Sequence, residues 1–153
     1  MIIVKLITTD DDLSQLVDEI NQAVWDNTND MSLYDVDALT AYINRQDTLF
    51  VACHEITEVG RTLMGMASAR LEIKPYNSAR WLYVDEVDVC SDQRQKGTGK
   101  AIMRKLIEFA NEAGCEEVWL ATESDNHAAN ALYRSLGPSD VAQIVGYTYN
   151  AQE

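Results

Sequence analysis

Between an apolar run that ends at Val89 and a helix-period stretch that opens at Thr98, the chain places Arg94-Gln95-Lys96-Gly97-Thr98-Gly99-Lys100. Strand, glycine turn and helix start in that order constrain the architecture more than any other feature, because a helix following a strand locally implies a crossover. The same order has a chemical use. The first turn of a helix leaves its N–H groups unpaired, the helix dipole favours negative charge there, and glycine lets oxygen atoms approach the main chain with no Cβ in the way. Three bases inside the segment strengthen the attraction. The segment is a candidate anion cradle. A Walker loop would need glycine where Arg94 stands and Ser or Thr where Ala101 stands, and a Rossmann fingerprint would need a third glycine at Ile102 in the first βαβ unit. Neither fits.

The remaining elements follow from hydrophobic period. Met1 to Ile7 reads as a first strand. Leu13, Leu16, Val17, Ile20 and Val24 recur at helical spacing after Thr9-Asp10, and Val36, Leu39, Tyr42 and Ile43 follow a Ser32 to Asp35 capping pattern. A polar loop from about Asp26 to Asp30 separates the two helices. The period then changes: Thr48 to His54, Leu63 to Ile73 and Trp81 to Val89 read as three successive antiparallel strands. Ile102, Met103, Leu106, Ile107 and Ala110 share one face of a helix from Thr98 to Ala113, stopped by Gly114. Val118 to Thr122 is a strand, Asn126 to Leu136 a helix stopped by Gly137-Pro138, and Val141 to Tyr149 a last strand. The predicted order is β-α-α-β-β-β-α-β-α-β, an α/β fold with a mixed, mostly antiparallel central sheet flanked by helices.

Composition limits the classes of function. With 153 residues, 46% of them hydrophobic, and only two Pro and seven Gly, one domain over 1–153 is expected. The first residues are too short for a signal segment, and no apolar run approaches the roughly 20 residues of a membrane span, so a cytoplasmic protein with no membrane partner is expected. A net charge of −13 argues against nucleic acid, which wants a basic face. The charge is uneven: residues 1–60 hold twelve acids and two bases, while residues 94–105 hold five bases and no acid. Cys53, Cys90 and Cys115 are odd in number and widely spaced, as befits reduced thiols, and His54 and His127 lack metal-ligand spacing. No metal is expected.

Arg94-x-x-Gly97-x-Gly99 resembles the acyl-CoA pyrophosphate loop of the GCN5-related N-acetyltransferase superfamily. The flanks carry the same resemblance: Val87 and Val89, ten and eight residues before Gly97, match apolar positions of the family's fourth strand, and Asn126-x-x-Ala129-x-x-Leu132-Tyr133 with Leu136-Gly137 matches its motif on the helix after the fifth strand. It covers about residues 80–137. After Leu136-Gly137 the family usually has an aromatic residue, whereas this chain has Pro138.

The resemblance implies transfer of an acetyl group from acetyl-CoA to an amine by direct attack. Val87, Asp88 and Val89 would bond the pantetheine arm through their main chain, Arg94, Gln95, Lys96, Gly97, Thr98, Gly99 and Lys100 would hold the pyrophosphate, and Asn126 would bond the pantetheine or thiol end. Tyr133 matches the family tyrosine that serves as general acid, and its ordinary pKa of about 10 keeps it protonated at neutral pH. A protonated amine needs a base. Asp85, Glu86 and Asp88 lie together on the fourth strand, where alternation puts Glu86 and Asp88 on one face and Asp85 on the other. Glu86, eleven residues before Gly97, stands where many family members have an acid facing the acceptor, so it is expected to be the base, through water, with Asp88 as helper or amine anchor.

The acceptor is expected to be a small cationic amine of polyamine or aminoglycoside kind. Family helices one and two usually line the acceptor side, and here Asp26, Asp30, Asp35 and Asp37 stand there with Trp25 beside them, a field and an aromatic face suited to cations. A narrower resemblance to aminoglycoside 3-N-acetyltransferases runs from Lys74-Pro75 through Gly137, chiefly in the tyrosine-acid-hydrophobic strand and Ala131-Leu132-Tyr133. The alternatives are a protein Lys or N-terminal acetyltransferase, and a non-catalytic acyl-CoA-binding regulatory module. Dimers are common among relatives, which raises a homodimer as a further expectation.

Overall fold

A computed structural model describes residues 1–26 and 32–152. The chain divides into two compact units, Met1–Leu120 and Ala121–Glu153. In the first unit the elements are β1 (Ile2–Leu6), α1 (Leu13–Gln22), α2 (Val36–Ile43), β2 (Thr48–Thr57), β3 (Gly60–Ile73), β4 (Arg80–Val89), a single 3-10 turn (Ser91–Gln93), α3 (Thr98–Glu112) and β5 (Glu117–Trp119). The second unit holds α4 (His127–Ser135).

The sheet order is β1-β2-β3-β4-β5, antiparallel except for the β4–β5 pair, so the mixed sheet expected from sequence is present and α3 is the crossover. On one face α1 and α2 bury Leu13, Leu16, Val17, Ile20 and Leu39 against Phe50, Ala52 and Met66. α3 buries Ile102, Met103, Leu106 and Ala110, while Ile107, expected on that face, is 43% exposed. Asp12 starts α1 by accepting from Gln15 N at 3.0 Å, and Asp35 starts α2 by accepting from Asp37 N at 2.7 Å, in place of the Thr9-Asp10 and Ser32 signals. α3 ends at left-handed Gly114, where the Cys115 N–H reaches back to Ala110 O at 2.8 Å.

β4 carries a bulge. Its register against β3 runs Val89, Val87 and Glu86 opposite Gly65, Ala67 and Ser68, then slips by one residue so that Val84 faces Ala69. Asp85 is the extra residue, and it does not sit on the face opposite Glu86 as alternation predicts: its carboxylate accepts from Arg70 Nε at 2.9 and 3.2 Å.

The last predicted strand is absent. Residues 138–152 hold no strand, and Val141, Ile144, Val145, Tyr147 and Tyr149 are exposed. Gly137 turns left-handed, Pro138 offers no N–H, and the second unit contains no strand of its own to supply a ladder partner. The five-strand sheet therefore closes the element order at α4. Among the described residues no helix is long and apolar enough to cross a membrane, and no group of three His, Cys, Asp or Glu is placed to hold a metal ion.

Candidate active site

The register of the sheet determines where the carboxylates point. Residues directly opposite one another in an antiparallel ladder share a face. Phe50, Ser68 and Glu86 form one cross-strand row and Ala52, Met66 and Asp88 the next. Phe50, Ala52 and Met66 belong to the core under α1 and α2, so Glu86 and Asp88 stand on that same face at the β4 end of their rows. Glu86 is exposed and Asp88 half-buried. Burial, reinforced by the Glu86 charge, pushes the Asp88 carboxyl up to about 6. A carboxyl raised to that level can take up a proton near neutral pH, so Asp88 stands beside Glu86 as a candidate for the base.

Tyr34 completes this side, and no sequence pattern pointed to it. Its main chain is held by Asn21 of α1, which accepts from Tyr34 N and donates to Tyr34 O, both at 2.9 Å. Its ring lies 6.1 Å from that of Phe50, at the head of the row that ends in Glu86, with only the small Ser68 between. Burial and the charges of Glu86 and Asp88 push its hydroxyl up to about 12, so it stays a hydrogen-bond donor facing two carboxylates. The residue falls two places before α2, and its position depends on the Asn21 clamp, a contact between α1 and a loop with no periodicity to reveal it.

The cradle has the expected local form. Gln95 and Gly97 adopt left-handed φ of 62° and 78°, which curls successive N–H groups toward one side, and Gly97 begins α3 with no side-chain cap. Thr98 is 2% exposed and its Oγ1 has no hydrogen-bond partner among the described residues. An open helix start and an orphaned buried hydroxyl beside it fit a group rich in acceptor oxygens. Lys96 Nζ donates to Gln93 Oε1 at 2.9 Å, Arg94 pairs with Asp26, and Lys100 and Gly99 lie in the first turn of α3.

α3 comes this close because of Gly65. A Cβ there would stand 2.7 Å from Asp88 O, 3.0 Å from Ile102 Cδ1 and 3.1 Å from Thr98 Cγ2. Beside the cradle, β4 pairs with β5 only over Trp81 to Tyr83. From Val84 onward no strand among the described residues pairs with its outer edge, so Val87, Asp88 and Val89 have no ladder partner on that side.

Several expected site residues have other duties. Trp25 is 6% exposed, part of the core, and its Nε1–H donates to Ile20 O at 3.0 Å, so its ring is not an acceptor wall. Asp35 caps α2, and Asp37 sits exposed in its first turn. Asp30 lies outside the described residues. In the second unit Asn126 is the cap of α4, its Oδ1 accepting from Ala129 N at 3.1 Å, which leaves its amide nitrogen to donate. Tyr133 lies half-buried on α4, seven residues from that cap.

Residues 14–137 match the acetyltransferase (GNAT) family. N-acetyltransferase family 8 member 3 of Mus musculus is 32% identical over 98 residues, 64% of this chain and 43% of that protein. The chain thus spans less than half the length of the curated relative it matches. An aminoglycoside acetyltransferase from an uncultured soil metagenomic sample, in complex with sisomicin, superposes with a TM-score of 0.82 at 18% identity, covering 99% of this chain and 97% of that one. An aminoglycoside N-acetyltransferase in complex with CoA gives 0.71 at 15% identity, over 99% and 96% of the two chains. At these identities both establish a shared fold.

Proposed function

The chain belongs to the acetyltransferase (GNAT) family, and from that premise we propose that it moves an acetyl group from acetyl-CoA to a primary amine of a small cationic acceptor, by direct attack in a ternary complex. The observation that carries the reading is Asp88. It is a carboxyl raised to about 6, on the sheet face under α1 and α2, one strand edge away from an open anion cradle.

Acetyl-CoA supplies the activated acetyl group as its thioester. The chain's own residues do the rest. The N–H groups of the left-handed turn, with Arg94, Lys96 and Lys100, would hold phosphate oxygens, and the main chain at Val87 to Val89, which pairs with no outer strand among the described residues, would bond the pantetheine arm. Asp88 takes the proton from the incoming ammonium. Raising its carboxyl from 3.8 to about 6 recovers up to about 3 kcal/mol of proton affinity relative to an ordinary carboxylate. Glu86 keeps that affinity high through its charge and draws the cation in, and the Tyr34 hydroxyl, held protonated near both carboxylates, does not compete for the proton. On the family motif alone, Tyr133 would be the general acid for the leaving thiolate and Asn126 a donor to the pantetheine arm.

The acidic first sixty residues support a cationic acceptor, as do the aminoglycoside acetyltransferases that share the fold. CoA release across polyamines, aminoglycosides, amino acids and peptides tests the reading. Turnover with a polyamine or aminoglycoside is expected, falling at least about a hundredfold in Asp88→Asn, as removal of a general base does. Preference for peptides would make the chain a protein acetyltransferase, and binding of CoA without release by any amine would make it a sensor. Full turnover in Tyr133→Phe would remove that residue from the chemistry.

A further inference from the structure

Arg94, the leading cation of the cradle, is engaged by the chain itself. Its guanidinium donates to the carboxylate of Asp26, sixty-eight residues earlier in sequence. The placement is built: Ser91 donates to Val24 O from its main-chain N at 2.9 Å and from its hydroxyl at 3.2 Å, and Trp25 is anchored in the core by its indole N–H. The tail of α1 is thereby fastened to the turn that precedes the cradle, with Asp26 as the next residue along. An ion pair in which both side chains are about half exposed adds little to stability, and here the segment is already held by those other bonds. What the pair does is fill a place. A carboxylate on a guanidinium presents the same pair of anionic oxygens as a phosphate, with less charge.

We infer that Asp26 is a stand-in for phosphate at Arg94, exchanged for the cofactor's phosphate oxygens when acetyl-CoA binds. This rests on the proposed acetyl-CoA site and assigns Asp26 a duty there in place of acceptor binding. The residue opposes cofactor binding in the free protein, keeps the cradle arginine from drawing unrelated anions, and frees a carboxylate at the end of α1 only once the cofactor is seated.

The signature is a gain on removal. Isothermal titration with CoA, and with ADP as a probe that carries only the diphosphate end, is expected to show Asp26→Asn binding both ligands about threefold to tenfold more tightly than wild type. Asp26→Ser should do the same, and far-ultraviolet circular dichroism checks that each variant is folded. Asp37→Asn removes an equal charge from the exposed start of α2 and is expected to change nothing. In an Arg94→Gln background, which binds more weakly, the gain from Asp26→Asn should vanish. Unchanged or weaker binding by both Asp26 variants, an equal gain from Asp37→Asn, or a gain that survives without Arg94 would each overturn the inference while leaving the acetyl-CoA site standing. Failure of wild type and every variant to bind CoA would instead overturn the acetyl-CoA reading, and the inference with it.

Discussion

With Asp88 as the proposed base, function and stability meet at a single side chain. Its carboxyl is raised from 3.8 to about 6 by burial and by Glu86, so the folded protein holds that proton more tightly than the unfolded chain does. The stabilisation this provides is complete below about pH 4 and is lost as pH rises through about 6. At pH 7.5 the ionised group is therefore a net cost, of up to about 2 kcal/mol once partial solvent exposure is allowed for. Asp88→Asn is expected to unfold at a higher urea midpoint than wild type at pH 7.5, with the difference disappearing near pH 4, even as turnover collapses. In wild type, kcat/KM for the amine should rise through a limb near pH 6, and Glu86→Gln should move that limb downward by removing the charge that helps to raise it. A limb unmoved by Glu86→Gln would break the electrostatic link between the two residues. The sequence showed two acids on one face, and it could not show which of them is the more buried, since burial depends on Tyr34 and the helices above. Trp25 fails for the same reason: its neighbours in sequence suggest a surface site, and its indole is turned into the core.

Among the elements, the approach of α3 to the sheet sets the cradle, and two glycines control it in different ways. At Gly65 the backbone is ordinary but the space is gone, with Asp88 O 2.7 Å from where a Cβ would stand. At Gly97 nothing lies within 4 Å of such a Cβ, but φ is +78°. Gly65→Ala must push α3 or β4 aside and is expected to cost about 1–3 kcal/mol, as overpacking does, and to weaken CoA binding by displacing Thr98 and Asp88 together. Gly97→Ala should cost about 1–2 kcal/mol of backbone strain and leave the core intact. Thermal melts and CoA titration of the two variants separate these effects; equal losses of binding and stability in both would mean that α3 is not set by its contact with β3. The helices and strands with clear period, and the turn from β4 into α3, were legible from residue pattern alone. The bulge at Asp85 was not, because one slipped residue reverses facing without altering composition. The strand expected at 141–149 had the right alternation, at Val145, Tyr147 and Tyr149, and lacked what no pattern supplies, an edge in its own unit to pair with.

At the scale of the whole molecule, the net charge of −13 acts on the two ligands with opposite sign. A polycationic amine, the proposed acceptor, would be drawn in by the field of the acidic first sixty residues, and salt screens that field over about 8–10 Å at ordinary ionic strength. CoA meets the same negative field as a repulsion and five local bases at 94–105 as an attraction, so its two electrostatic contributions oppose each other. The predicted consequence is an asymmetric salt response. Between 50 and 300 mM KCl, KM for an acceptor of charge about +3 should rise about fivefold or more while kcat holds, a monoamine acceptor should change by less than about twofold, and KM for acetyl-CoA should change less than that of the polycation. Initial-rate measurements with each substrate varied in turn at the two salt concentrations check this. If the polycation and the monoamine respond alike, the charge surplus serves only to keep the chain apart from its own copies, and selection of the amine lies with short-range contacts at Asp88, Glu86 and Tyr34.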